Sequence, residues 1–540
     1  MNMARWVQSQ ARFLPNKTAI VFERDPNGAH SHEKKGVSSS PQILTYAELE
    51  NRVSGTVSLL RDHFLLTKGE RIAWLGLNHP DMFVLLLAAA RMGIIVVPMS
   101  WRLSENELTY IVDDCAPKVL FHDQHEAGKA HALSVLAKQP NTLTCVSLDD
   151  DSSGPTLSQL LDNAAFSREE RKINLDAYTH ITAEEACLIV YTSGTTGRPK
   201  GAVLSQGAMI CNAQMSQHMY DLGSRDIVLN VLPLFHVGGI NIQPLPALMF
   251  GATLILHQQF NPTSCVNAIQ HHSVSLINTV PTILQAMQNT AEWQDASLQS
   301  LKSISIGSTD VPRTLIDTVH EKGLPLVQVY GATETGPIAI YQRPEKAVTT
   351  AGSIGQEGLL CEVKLCDAQG DAVEVNMPGE ICIRGDNILT GYWNNKEATA
   401  QAIDNDWFHT GDVAHIDKDG NYWFDDRLKH VIISGGENIY PAEIERVIVA
   451  IADIDAVSVV GQRHAKWGEI PVAVVVKIAD SSHSEESVRK MIESSCQAAL
   501  AKFKQPKKVV FVDKLPRNAM GKVVANEVRG LVCRRDHRGD

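Results

Sequence analysis

The stretch "MFVLLLAAARMGIIVVPM", Met82 to Met99, limits the possible folds more than any other part of the chain. A run this apolar must be hidden from water, either in lipid or inside protein. Arg91 and Gly93 interrupt it, and its Leu/Ala half gives way to β-branched Ile and Val before Pro98. That change reads as a buried helix followed by a strand, not as a membrane span. Helical patterns alternating with short Val/Ile/Leu runs continue from about residue 40 to 340, as in "TYAELENRVSGTVSLLRDHF" followed by "RIAWLGL". This is the pattern of stacked α/β layers.

At 540 residues the chain exceeds a typical domain of about 100 to 200 residues, so two or more cores are expected. Residues 24–41 are polar and rich in Gly, Pro and Ser, which predicts an extended surface loop. From Gly352 to Asp426 the texture changes to short strands with Gly and Asp turns, predicting a small β-rich subdomain. Beyond it, a helix from Pro441, the strands "AVSVVGQ" and "VAVVVKI", a helix over 485–501 and "KKVVFV" suffice for an independent α+β domain.

Net charge is −12, which argues against a general nucleic-acid binder because such proteins neutralise phosphates with excess Lys and Arg. Residues 502–540 reverse the balance, with eleven Lys or Arg against four acids, and this basic end asks for an anionic ligand. The ten cysteines include no CxxC pair, so no zinc site or disulfide framework is indicated and reduced thiols are expected. "MNMARWVQSQARF" lacks the apolar core of a secretory signal, and the expected location is the cytoplasm.

Several short motifs invite chemistry. "YTSGTTGRPKG", starting at Tyr191, follows an apolar strand; its Gly, Ser and Thr residues let backbone N–H groups converge, and Lys200 adds charge, which together suit phosphate. The spacing is neither a Walker A loop nor a GxGxxG, so alone it is a turn with some affinity for anions. In "YGATETG", Thr333 and Glu334 suit a phosphate and its Mg²⁺, or else a helix N-cap. Asp412 after a Gly turn, His236 in an apolar stretch and Lys522 near the end read by themselves as a turn cap, a core histidine and a solvated lysine.

Seven motifs in order change that reading: "LTYAELE" (Leu44), "FVLLLAAARMGIIVVPM", "LPLFHVGG" (Leu232), "YGATETG" (Tyr330), "WFHTGD" (Trp407), "DRLKHVIISGGENIYPAEIE" (Asp426) and "LPRNAMGK" (Leu515) accompany the glycine-rich loop. With that loop the chain resembles, over nearly its whole length, the AMP-forming acyl-CoA synthetases of the adenylate-forming superfamily. The resemblance implies a large N-terminal domain (1–426, with the β-rich 352–426), a hinge at 427–429 centred on Lys429, and a small mobile α+β domain (430–540).

It implies an ATP-dependent acid–CoA ligase: acid and ATP give acyl-AMP and pyrophosphate, then CoA displaces AMP. The alternative is a stand-alone adenylating module that passes the acyl group to a carrier protein. By resemblance Thr192, Ser193, Gly194, Thr195, Thr196, Gly197 and Lys200 form the phosphate clamp. Gly307, Ser308 and Thr309 form the wall between adenine and acid, while Tyr330, Gly331, Ala332 and Thr333 contact AMP. Glu334 holds Mg²⁺, and Asp412 with Arg427 holds the ribose, whose vicinal diol matches a two-oxygen acceptor. Lys522 stabilises charge growing at the α-phosphate during adenylation.

The acyl pocket implied is His236, Val237, Gly238, Asn241, Ser308, Val329, Gly331 and Pro337, a wall without acidic groups that favours a fatty or aryl acid over an amino acid. For CoA the matching positions are Ser434, Gly435, Gly436, Glu437, Trp467, Phe503, Lys504 and Lys507. Gln505 stands where related ligases have an arginine, which moves the 3′-phosphate contact to Lys504, Lys507 or Lys508. Gln206 and His430 also depart from the family pattern. Expected partners are the acid, ATP and CoA, with no nucleic acid and no integral span, in a monomer or homodimer.

Overall fold

The computed structural model describes residues 2–24, 41–138, 143–148, 156–163, 180–192, 199–308, 311–434, 437–464, 467–479, 481–517 and 521–536. The expected surface loop therefore lies almost wholly outside the described residues. Two compact units are formed, one of Met1–Val311, Leu315–Val363 and Ile383–Phe408, the other of Pro312–Thr314, Lys364–Cys382 and His409–Asp540. Their division runs through the β-rich stretch.

In the first unit the apolar run becomes a helix, Asp81–Met92, buried at every position, and a buried strand, Ile95–Met99. Gly93 ends the helix because it takes a left-handed φ of +70° that other residues resist. The charge inside the run is neutralised: Arg91 reaches Glu50 with N···O distances of 2.9 Å and also touches Ser54. Asp81 at the other end pairs with Arg52 at 2.6 Å. Among the described residues no helix is long and apolar enough to cross a membrane.

The strand Ile95–Met99 lies inside a seven-stranded sheet ordered Gly391–Tyr392, Lys200–Ser205, Ala186–Thr192, Ile95–Met99, Arg71–Leu75, Val119–His122, Thr144–Ser147. Its last five strands run parallel. A nine-stranded sheet runs Gln356–Glu357, Ile340–Tyr341, Leu326–Tyr330, Ser303–Gly307, Leu276–Thr279, Ile227–Asn230, Thr253–His257, Thr18–Glu23, Gln42–Thr45. Six central strands are parallel and the edges antiparallel. Parallel strands are covered on both faces, which is why even the serines of "SISI", Ser303 and Ser305, are as fully buried as Ile304 and Ile306. Trp74, Phe83, Phe121 and Trp293 are fully buried, and each such side chain contributes roughly 1.5–3 kcal/mol.

Gln206 has a structural use in this unit. Fully buried, its Oε1 accepts the Met3 N–H at 3.0 Å and its Nε2 donates to the Ala90 carbonyl at 2.8 Å. It ties the amino-terminal segment to the central helix.

The second unit has a sheet ordered Glu437–Ile439, Ile432–Ser434, Gly468–Lys477, Ile454–His464, with Lys508–Phe511 parallel to Gly468–Lys477. Helices Pro441–Val449 and Glu485–Ala499 close one core with Ile432, Ile444, Val475, Ile492 and Phe511. Val528 and Val532 of helix Ala525–Asp536 close another with Val460, Val472 and Val474. This matches the mixed α/β class read from the sequence.

Candidate active site

In the first unit the chemical groups gather where two parallel strands end, the usual place for ligands in α/β sheets. Leu326–Tyr330 runs into Gly331, where an added Cβ would sit 1.7 Å from the Pro337 carbonyl oxygen. Only glycine fits. The same holds at Gly307, where a Cβ would meet the Val329 carbonyl oxygen at 2.4 Å. Past Gly331 the chain turns through Thr333–Thr335, and buried Thr335 holds that turn by accepting the Ala332 N–H at 2.9 Å. Asn387 clamps it from outside, its Nδ2 donating to the Thr335 and Ile338 carbonyls at 3.0 Å each.

Glu334 is fixed at both ends. The Leu389 N–H donates to its carbonyl at 2.8 Å, and the Tyr392 hydroxyl donates to its Oε1 at 2.9 Å. Burial, then the Glu334 charge, push the Tyr392 phenol far above its ordinary value, so it stays a donor. On the same ring, Lys200 Nζ lies 5.4 Å from the centroid. Lys200 begins a strand that pairs with Gly391–Tyr392, and the Trp393 N–H donates to the Gly201 carbonyl at 2.7 Å. One aromatic thus joins the cation and the carboxylate, set beside the Thr333 hydroxyl at the strand ends. Such a set can take a phosphate with a hard divalent cation, because Glu334 keeps one carboxylate oxygen that Tyr392 does not use.

Tyr392 was not among the residues singled out, and neither was Thr335. Tyr392 is 58 residues from Glu334, and "GYWNN" carries no spacing that announces the bond. The phosphate-clamp residues Ser193, Gly194, Thr195, Thr196 and Gly197 lie outside the described residues, as does Thr309. Thr192 ends its strand, and Ser308 is exposed with a φ of +73°.

The expected acyl wall is brought together in part. His236 caps the short helix Val237–Asn241, with its ring 5.1 Å from that of Phe235. Arg102 sits over both Trp101 and Phe235, at 5.0 and 5.7 Å, a cation that the motifs did not indicate. Asn241 is fully buried and donates to the Gly336 carbonyl next to Pro337. Gly238 differs from its neighbour: a Cβ there meets Ile242 at an ordinary 3.5 Å, whereas at Gly239 it would strike the Pro233 carbonyl at 2.2 Å. Packing requires glycine at 239 and not at 238.

In the second unit Asp412 and Arg427 face each other across the hairpin of Trp407–Ile416 and Tyr422–Arg427, with Arg427 Nε 3.2 Å from Asp412 Oδ1. Thr410 Oγ1 accepts the Asp412 N–H at 3.1 Å. Lys429 lies in the turn Leu428–His430; burial first, and Arg427 second, hold its ammonium below the ordinary lysine value, with Asp412 opposing. His430 Nδ1 is 3.7 Å from Asp426, whose other oxygen accepts the Ala442 N–H at 2.6 Å and anchors helix Pro441–Val449.

Ser434 pairs with Gly468 on the inner strands, and Trp467 beside it is 46% exposed. A cavity of about 600 Å³ is lined by Ile433, Arg463, His464, Gly468 and Glu469. Arg463 and His464 supply cationic capacity the motifs did not indicate. Gly435 and Gly436 lie outside the described residues, as does the side chain of Glu437. Lys504 is committed to Glu443 at 2.8 Å and lies 5.8 Å from the Phe503 ring centre. Lys507 is exposed and donates to the Lys502 carbonyl, and Lys522 is exposed.

Residues 7–393 match the family described as AMP-binding enzyme, and 443–522 match the AMP-binding enzyme C-terminal domain. An indoleacetate–CoA ligase of Aromatoleum aromaticum is 40% identical, covering 99% of both chains. A feruloyl-CoA synthase of an Amycolatopsis species is 35% identical over 98% of both. A solved fatty acyl CoA synthetase of Mycobacterium tuberculosis, 31% identical, superimposes with a TM-score of 0.75 over 98% of each chain.

Proposed function

The chain belongs to the AMP-binding enzyme family, and on that premise we propose that the acid it activates is an aryl acid. It is an AMP-forming acid–CoA ligase: acid and ATP give acyl-AMP and pyrophosphate, and CoA then displaces AMP to give acyl-CoA. Ligases for indoleacetate and ferulate among its relatives support a ring-bearing substrate. The observation that carries the reading is Gly238, where a Cβ would meet only Ile242 at an ordinary 3.5 Å, so packing does not require the glycine. A bulky flat acid takes the place of a side chain there.

The motif resemblance, with the geometry where the structure describes it, supports the following roles. Lys200 and the Thr333 hydroxyl hold phosphate oxygens, and Asp412 accepts from the ribose hydroxyls with Arg427 fixing its carboxylate. Glu334 and Thr333 would hold Mg²⁺, which when bound neutralises triphosphate charge. Tyr330 packs on adenine, and His236 lines the acid's carboxylate end. Lys522 serves adenylation: negative charge grows on the α-phosphate in the transition state, so an ammonium there stabilises that state more than the ground state.

The thioester step uses Ser434, Gly435, Gly436, Glu437, Trp467 and Phe503 for the CoA arm and nucleotide, with Lys507 and Lys508 for its phosphates because Lys504 is paired with Glu443. Lys429 is the hinge that separates the two chemistries. The described cysteines are all free thiols, which supports a reducing, cytoplasmic site of action.

The test is AMP formation, with and without CoA, against arylacetic, phenylpropenoic and straight-chain acids. An aryl acid is expected to give the highest kcat/KM, and Gly238→Val to depress it more than that of a short alkanoate. A preference for long alkanoates overturns the aryl assignment. AMP release independent of CoA overturns the thioester step.

A further inference from the structure

We infer that the second unit carries a binding site for a thiophilic divalent cation of the zinc class, built from Glu380, Cys382 and His409. Glu380 and Cys382 are two residues apart in the strand Gly379–Gly385, so their side chains share one face. His409 comes from the strand Trp407–Ile416. Its Nδ1 lies 2.8 Å from Glu380 Oε2 and 3.5 Å from Cys382 Sγ, and the three donor atoms lie within 4.8 Å of one another.

A single imidazole nitrogen serves one partner well, and Glu380 takes it, while the Cys382 sulfur keeps longer contacts, 3.5 Å to that nitrogen and 3.7 Å to the Glu380 carbonyl, beside Cys366. One nitrogen, one oxygen and one sulfur make three corners of a tetrahedron with bonds of about 2.0–2.3 Å once the His409 ring draws back from its hydrogen-bond distance to Glu380. The set discriminates between cations. Magnesium wants oxygen ligands and retained waters, whereas a buried thiol and an imidazole select zinc-like ions.

The surroundings fit as well. Glu380 Oε1 accepts the Gly411 N–H at 2.9 Å, which orients the carboxylate and leaves Oε2 for the ion. Cys382 is buried, while the side chains of His409 and Glu380 are 30% and 18% exposed, so the ion enters from solvent and a water completes its shell. Burial, with Cys366 and Glu380 nearby, keeps the Cys382 thiol protonated. On binding, the S–H bond breaks, the proton passes to solvent and a sulfur–metal bond forms. No residue of this trio is used in the ligase roles assigned above.

Cobalt(II) reports such a site directly, because a thiolate ligand gives it a charge-transfer band. Chelator-stripped, reduced full-length protein, free of CoA and added thiol, is titrated with Co²⁺ and then with Zn²⁺. A thiolate-to-cobalt band that Zn²⁺ abolishes is expected. Cys382→Ala should lose the band, and His409→Gln should weaken Zn²⁺ binding about tenfold or more. Cys366→Ala should keep it. Unaltered metal-free melting and acid–CoA ligation in Cys382→Ala and His409→Gln show that both are folded. No band in the native protein, or a band that survives Cys382→Ala, overturns the site.

Discussion

The two units hold their charged groups in opposite ways. In the first, Glu334 and Lys200 converge on one half-buried tyrosine, and backbone bonds from the neighbouring strand lock both segments. In the second, Arg427 touches Asp412 but remains 46% exposed, and Lys522, Lys507 and Trp467 are exposed. A group fixed by buried partners has already lost its conformational freedom before the substrate arrives. An exposed side chain keeps more of it until binding, and for a lysine the full loss costs roughly 1.5–2 kcal/mol. Damage to the first unit's supports should therefore appear in kcat for adenylation, and damage to the second unit's CoA residues in KM.

The largest effect expected is on Glu334→Gln, which should slow acid-dependent ATP/pyrophosphate exchange by about 10²–10³, or roughly 3–4 kcal/mol. Exchange near the native rate would break the comparison at its first term. Lys200→Ala should slow adenylation too, yet leave CoA attack on supplied acyl-AMP intact.

Tyr392→Phe sharpens the same point, because it removes only the hydroxyl. Loss of a bond to a carboxylate costs about 1.5–3 kcal/mol, so exchange should fall about tenfold or more with KM for CoA unchanged. An unaltered rate would show that Glu334 needs no support. Trp467→Ala tests the exposed side. It should raise KM for CoA about fivefold, from lost stacking of about 1 kcal/mol, while exchange is unaffected.

The smallest effect is on stability. His415 Nδ1 lies 3.0 Å from both oxygens of Asp425, which raise its pKa above 6.5 against the opposing pull of burial. A raised histidine stabilises the folded state fully below 6.5, and that contribution disappears as pH rises through the higher folded value. Melting of the native protein should thus decline slightly more between about pH 6 and 9 than melting of Asp425→Asn. Equal slopes would remove the pair from the account.

Periodicity made much of the fold legible. The Leu/Ala-to-Ile/Val change at Gly93 marks where the buried helix becomes a strand, and motif order carried the family. What stayed hidden was contact across long separations. Nothing near Tyr392 in the chain points to Glu334, and nothing near Gln206 points to Met3. Asp412 and Arg427 were legible as a pair only through resemblance; the hairpin register supplies the physical reason by placing them opposite each other. Gly238 and Gly239 look alike in sequence, and only the neighbouring carbonyl tells the required glycine from the one that leaves space.

The central claim is that one ligase divides its two half-reactions between different residues. Lys522→Ala, assayed in parallel for acid-dependent ATP/pyrophosphate exchange and for thioester formation from supplied acyl-AMP and CoA, tests it most directly. The account predicts exchange lowered by about 10² or more with thioester formation near the native rate. Exchange near the native rate, or equal loss of both activities, would contradict it.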